Sequence, residues 1–347
     1  MKKLSVSRLA LTYTGTFLGA GFVSGQELWQ FFACFGPIGL LGFVLTAAIF
    51  FYINWSLLRL VQKTGVEDAG KLLTCGGFRW FEIAVCILQY LFLFGVIVIM
   101  VAGAAALIRD LTGLPLVWSS AIFSLLVLLT ALLGLQGLVA TFSVLVPLTT
   151  VCAVFLGLFV LFRGGFSLQP AVGTVSDLLP NWWVAVLTYA AYNLFGIVSI
   201  LTPFAKLIPD GRTLNRGLLS GSGILILLAW SIVAALLARP ETGASELPMV
   251  ALAELVHPAF AAGYGILIGF GMFACALSTL VALVAQLELH LPKANRLTLP
   301  LMAAVFLLSL AGFGNLIGLI YPIFGYVSIP LFGCLLYNCK KENKVSS

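Results

Sequence analysis

Ten apolar runs, each long enough to cross a bilayer, follow one another along this chain with little between them: 8–33, 37–61, 81–108, 117–135, 138–162, 182–208, 217–238, 260–287, 297–313 and 316–338. A helix of about 20 apolar residues crosses about 30 Å of hydrocarbon. Lipid offers no partner to a peptide N–H or C=O, so only helices and closed barrels span it. The alternating pattern of barrel strands is absent from the sequence. The expected fold is an all-α integral membrane protein, one transmembrane domain over 1–347. With 61% hydrophobic and 9% charged residues, the chain has no stretch that could fold as a soluble domain. The basic-then-apolar start "MKKLSVSRLALTYTGTFLG" has the look of a signal peptide, but the run continues past signal length without a small-residue cleavage site, so it is expected to stay as the first helix.

The net charge of +6 could point to nucleic acid, yet the basic residues are sorted by side rather than gathered in a patch. With the N-terminus inside, all of the 18 Lys and Arg except Arg109, Arg163 and Arg239 fall on the inner side. The positive-inside bias therefore favours cytoplasmic termini. The seven cysteines, Cys34, Cys75, Cys86, Cys152, Cys275, Cys334 and Cys339, show no metal-ligand spacing and read as buried thiols. His257 and His290 lie in or next to loops and are expected to form no metal cluster.

Ten runs divide into two sets of five, 8–162 and 182–338. Five is odd, so a second set that repeats the first starts from the opposite side, giving an inverted repeat. Helices 1 and 6 are then expected to be interrupted at matching depth. Segment 1, "YTGTFLGAGFVSGQELWQFF", places Gly19 and Gly21 on either side of Ala20, and each glycine weakens a helix by about 1 kcal/mol relative to alanine. Close GxxxG packing without a break is the competing reading. Segment 6 carries Asn193 and Gly196 in "YNLFG", with Pro203 beyond.

A break in segment 1 would leave the carbonyls of Gly15 and Leu18 without helical partners, able to hold a cation. The amides that follow, around Gly21, would suit a carboxylate. Segment 8 offers the hydroxyls of Ser278 and Thr279, with the Cys275 carbonyl about one turn earlier. Such hydroxyls also commonly bond back to their own helix. Glu27 stands about six residues beyond Gly21, or about 9 Å along a continuous helix, which places it in an outer vestibule. There it could be solvated, bonded by Gln26 or Gln89, or act as a proton site, gate or ammonium ligand. Residues 239–259 read as a surface helix, either a lid or a connector, with Leu247, Val250, Leu252, Leu255 and Val256 as its apolar face. Residues 64–77 read as a simple link.

"GTFLGAG" in the first helix and "CALST" in the eighth resemble the LeuT-type five-plus-five repeat of the amino acid, polyamine and organocation (APC) superfamily. "GTFLGAGFVSGQELWQFF" is similar more closely to the YkvI-like bacterial membrane proteins. The resemblance implies a sodium ion held by the carbonyls of Gly15, Leu18 and Cys275 and the hydroxyls of Ser278 and Thr279. It implies a substrate carboxylate at Gly19, Ala20 and Gly21, with Tyr90, Tyr192, Asn193 and Phe195 around the rest. Proton-coupled relatives often carry a lysine in the fifth helix, and segment 5 has none. No acid lies at the segment 6 break, which argues against polyamines and basic amino acids. The function implied is secondary transport of a small amino acid or related zwitterion across a bacterial inner or plasma membrane, with sodium as coupling ion, no organic cofactor and no enzyme chemistry. Proton coupling, a germinant-receptor type of sensor and, third, a channel are the alternatives. The lipid bilayer and a small-molecule substrate are the expected partners; the sequence points to no protein partner.

Overall fold

The computed structural model describes residues 3–18, 20–66, 68–75, 78–132, 138–164, 176–288, 290–291 and 293–345. Its helices are α1 Val6–Phe17, α2 Ala20–Val23, α3 Gln26–Phe31, α4 Ile38–Thr64, α5 Ala69–Leu73, α6 Arg79–Thr112 and α7 Leu116–Leu132. They continue as α8 Leu138–Gly164, α9 Trp182–Leu201, α10 Gly211–Ala238, α11 Pro248–Glu254, α12 Pro258–Glu288, α13 Thr298–Ser309 and α14 Phe313–Val345. Among the described residues six helices are long and apolar enough to cross a membrane, with α7, α9 and α13 apolar but shorter.

Local chemistry sets several boundaries. Ser5 accepts a hydrogen bond from the Arg8 amide, and Asp68 and Asp210 do the same for Lys71 and Thr213, each supplying an acceptor to a helix start that has no partner of its own. α4 and α6 stop at Gly65 and Gly113, both in the left-handed region that glycine adopts without steric cost.

The first apolar run is divided among three pieces. Leu18 leaves helical geometry at ψ 59°, and its N–H returns to the Gly15 carbonyl. α2 lasts four residues, and the chain then turns through Gly25 at φ +85° before α3 begins. Carbonyls freed at this second turn find partners outside the segment. The Met249 amide donates to Ser24 O at 2.9 Å and the Tyr264 hydroxyl to Val23 O at 3.4 Å. Such irregular backbone persists at membrane depth only when enclosed by protein.

Helix α9 departs from expectation. It runs unbroken from Trp182 to Leu201, through the "YNLFG" stretch expected to be interrupted, and tightens to 3₁₀ geometry only over Thr202–Leu207. The Asn193 amide donates to Tyr189 O in its own helix, and Gly196 packs against the Phe92 ring instead of opening the backbone. Within 239–259 the helix is α11, and it is packed rather than free. Leu247, Met249, Leu252 and Ala253 are buried, whereas Leu255, expected on the apolar face, is exposed. Its cover is the broken segment, for Met249 lies against Gly25 and Trp29 against Gly243.

Gly25→Ala should lower the thermal midpoint in detergent, by a destabilisation of about 1–2 kcal/mol for a left-handed alanine; a new Cβ would also stand 2.9 Å from Met249. Gly263→Ala, in α12 with open space around it, should be neutral or stabilising by up to about 1 kcal/mol. Equal midpoints for the two variants would refute a strained turn at Gly25.

Candidate functional site

The turn at Gly25 decides where Glu27 goes. Instead of standing in a vestibule above Gly21, Glu27 is folded back against it and is 4% exposed. A Cβ on Gly21 would overlap its carboxylate. The expected partners Gln26 and Gln89 give way to tyrosines. Tyr189 and Tyr192 donate to Oε2 at 3.1 and 2.9 Å, and the Tyr321 hydroxyl also bonds the carboxylate. Tyr189 and Tyr192 are three residues apart and so share a face of α9; Tyr321 arrives from α14. The rings of Tyr192 and Tyr321 stack at 4.5 Å with 6° between their planes, which fixes both hydroxyls.

This carboxylate borders a cavity of about 50 Å³ lined in part by Thr16, Phe92, Tyr192, Asn193, Cys275, Thr279 and Tyr321. Of the residues expected to hold substrate, Tyr192 and Asn193 therefore do line it. Gly21 adjoins it through Glu27, and Ala20 opens α2. Gly19 lies outside the described residues. Phe195 stands behind the wall, packed on Phe92 and Phe324. Tyr90 is elsewhere: it borders a separate cavity near Arg79 and donates to the Gln286 carbonyl at 3.2 Å. It sits two residues before Phe92, and on a helix that spacing turns a side chain to a different face.

Of the expected cation ligands, Thr279 and Cys275 border the central cavity, and their side chains hydrogen-bond each other. Ser278 is buried and its hydroxyl donates to the Cys275 carbonyl at 3.0 Å. The Gly15 carbonyl accepts the Leu18 amide at 3.2 Å. Four of the oxygens expected to face an ion, those of Gly15, Cys275, Ser278 and Thr279, thus already have protein partners. Tyr189, Tyr321, Thr16 and Phe92 were not read from the sequence as site residues. A phenol deep in an apolar span needs a polar partner, and that was the available signal for the tyrosines. At the end of the bundle near Arg79, His290 joins Asp68 and Cys86, contrary to the expectation that neither histidine would enter a ligand-like cluster. The 64–77 stretch, read as a mere link, supplies Asp68.

Because Glu27 fills the space beside Gly21, Gly21→Ala should destabilise the protein by about 1–3 kcal/mol, the usual cost of overpacking. The same change in a Glu27→Ala background should cost less, a coupling measurable as a difference in thermal midpoints. Strict additivity would show that the two side chains do not meet.

No protein-family model matches the chain. The uncharacterised membrane protein YkvI of Bacillus subtilis (strain 168) is 26% identical over 346 residues, 98% of this chain and 97% of that protein. The uncharacterised protein YyaD of the same strain is 23% identical over 333 residues, 94% of each chain. Among solved structures, MhsT in complex with L-phenylalanine aligns with a TM-score of 0.68 at 15% identity, over 98% of this chain and 88% of that one. A Na+-coupled sialic acid symporter in a substrate-bound outward-open state aligns with a TM-score of 0.62 at 14% identity, over 96% and 79%. A mutant of the Eremococcus coleocola manganese transporter aligns with a TM-score of 0.61 at 16% identity, over 94% and 78%. This chain is a multi-pass membrane protein with the LeuT-type fold of these structures.

Proposed function

We propose that the protein is a secondary active transporter of the APC superfamily that moves a small amino acid or related zwitterion across a bacterial cytoplasmic membrane by alternating access, coupled to sodium and with both termini inside. The observation that carries this reading is a carboxylate, Glu27, enclosed beside a small internal cavity and held by tyrosine hydroxyls from α9 and α14. An ionisable group at membrane depth is costly and is retained for function. Like charges disfavour a substrate carboxylate against Glu27 at Gly21, so the substrate's ammonium is assigned to Glu27 and its carboxylate to the amide of Ala20 at the start of α2. The acid that segment 6 lacks is thus supplied by segment 1, and basic solutes are no longer disfavoured on that ground.

The five-plus-five repeat is supported by the pattern of packing. α1 packs on α10 as α9 packs on α4; α1 meets α8 as α9 meets α14; α8 meets α10 as α14 meets α4. Each member of these pairs maps onto the other when the fifth apolar run is exchanged for the tenth, the first for the sixth and the second for the seventh. Sodium at Gly15, Leu18, Cys275, Ser278 and Thr279 is supported by Thr279 and Cys275 bordering the same cavity as Glu27. The second reading, in which Glu27 carries a coupling proton and sodium plays no part, is supported by the placement of that ionisable group on the wall of the same cavity.

Uptake of labelled amino acids into proteoliposomes under imposed sodium or proton gradients separates these readings. Sodium coupling requires sodium-stimulated uptake that Ser278→Ala with Thr279→Ala abolishes. An ammonium ligand at Glu27 requires Glu27→Gln to weaken substrate binding by about 10- to 100-fold, the worth of a charge-assisted hydrogen bond. A coupling proton at Glu27 requires the same variant to keep binding and exchange while losing accumulation driven by a pH gradient. Tight binding without flux in the wild type would replace transport with ligand sensing.

A further inference from the structure

We infer that Asp68, Cys86 and His290 form a binding site for a zinc-like divalent cation, separate from the central cavity. The three come from distinct places: Asp68 precedes α5, Cys86 lies near the start of α6, and His290 follows the end of α12. Their candidate ligand atoms all fall within 4.8 Å of one another. His290 Nε2 stands 2.9 Å from Asp68 Oδ2, and Cys86 Sγ stands 3.8 Å from His290 Nε2 and 3.9 Å from Asp68 Oδ1. Ligands at zinc distances in tetrahedral geometry stand about 3.3–3.8 Å from each other. The two sulfur distances are close to these lengths, while the histidine meets the other carboxylate oxygen of Asp68 in a shorter direct contact that an incoming ion would have to open.

The arrangement converges on a point and does not form a relay. A catalytic cysteine–histidine–acid array uses one ring nitrogen for the thiol and the other for the carboxylate. Here Nε2 faces both. Thiol, imidazole and carboxylate together select zinc and its neighbours over magnesium or calcium, which prefer oxygen alone. Gly70 makes the approach possible, since a Cβ there would lie 2.8 Å from the Cys86 sulfur. All three residues line a cavity of about 780 Å³, which Glu82 also borders one helical turn before Cys86. Water from this cavity completes the coordination. The His290 side chain is 48% exposed and open to an incoming ion. A bound metal would tie α5 and the start of α6 to the end of α12, all at one end of the bundle.

Metal binding by the purified full-length protein in nanodiscs tests the site, with cobalt(II) as the spectroscopic probe and zinc as competitor. The wild type should bind one cobalt per chain with a thiolate-to-cobalt charge-transfer band that zinc removes and magnesium does not. Cys86→Ser should abolish the band, Cys339→Ser should leave it, and His290→Gln, at a half-exposed position that folding tolerates, should weaken zinc binding at least tenfold. The metal-free thermal midpoint identifies any variant that fails to fold, and His290→Gln alone then decides. No saturable binding by the wild type, or unchanged binding in His290→Gln, overturns the assignment and leaves a polar aspartate–histidine contact beside an ordinary thiol.

Discussion

A buried carboxylate costs several kcal/mol unless hydrogen bonds replace its lost water, and the way Glu27 meets that demand organises the centre of this molecule. Its partners come from two other elements, Tyr189 and Tyr192 on α9 and Tyr321 on α14. The demand is met only if α3, α9 and α14 hold one relative placement. Stacking of Tyr192 on Tyr321, and edge contacts of Tyr189 with Phe31 and Phe32, fix that placement with apolar surface. The glycines are part of the same requirement. Gly25 supplies the left-handed turn that redirects the chain, and Gly21 leaves the space the carboxylate fills.

Two consequences follow for the other end of the broken segment. Interrupting a helix exposes carbonyls that lipid cannot satisfy, so they must be covered by protein. α11 and α12 do this through the Met249 amide and the Tyr264 hydroxyl. The cover and the acid are thus connected through a few residues, Val23 to Glu27. A displacement of α11 would free the Ser24 carbonyl and disturb the turn that positions Glu27. If the protein alternates its access, this link joins α11 to the state of the central cavity.

The apolar, helical character of the runs was legible because hydropathy over a span is a local property. Glu27 was misplaced because 1.5 Å per residue was counted through a segment that turns at Gly25, and φ cannot be read from the residue type alone. In segment 6, Asn193 and Gly196 were read as breakers, but a side-chain amide bonded to its own helix and a glycine against Phe92 are both compatible with continuity. Tyr321 escaped notice for a different reason: nothing in the pattern of α14 says which face meets an acid near the other end of the chain. Asp68, Cys86 and His290 have no spacing signature at all, since three separate elements bring them together.

The electrostatics of the central cavity finally constrain what an ion can do there. Among the described residues its polar wall carries one acid, Glu27, while Thr16, Asn193, Thr279 and the tyrosines contribute neutral dipoles. A cation entering this wall, whether sodium, a proton or an ammonium, is drawn towards the same carboxylate, and at low dielectric a single charge cannot be ignored by any of them. Two cations sharing it would compete unless their sites stand apart. Cooperation between ion and substrate then requires a shared preference for one conformation, and linkage makes that preference reciprocal. Competition would instead make each weaken the other. The sign of that coupling is therefore a direct reading of whether Glu27 serves one cation or two.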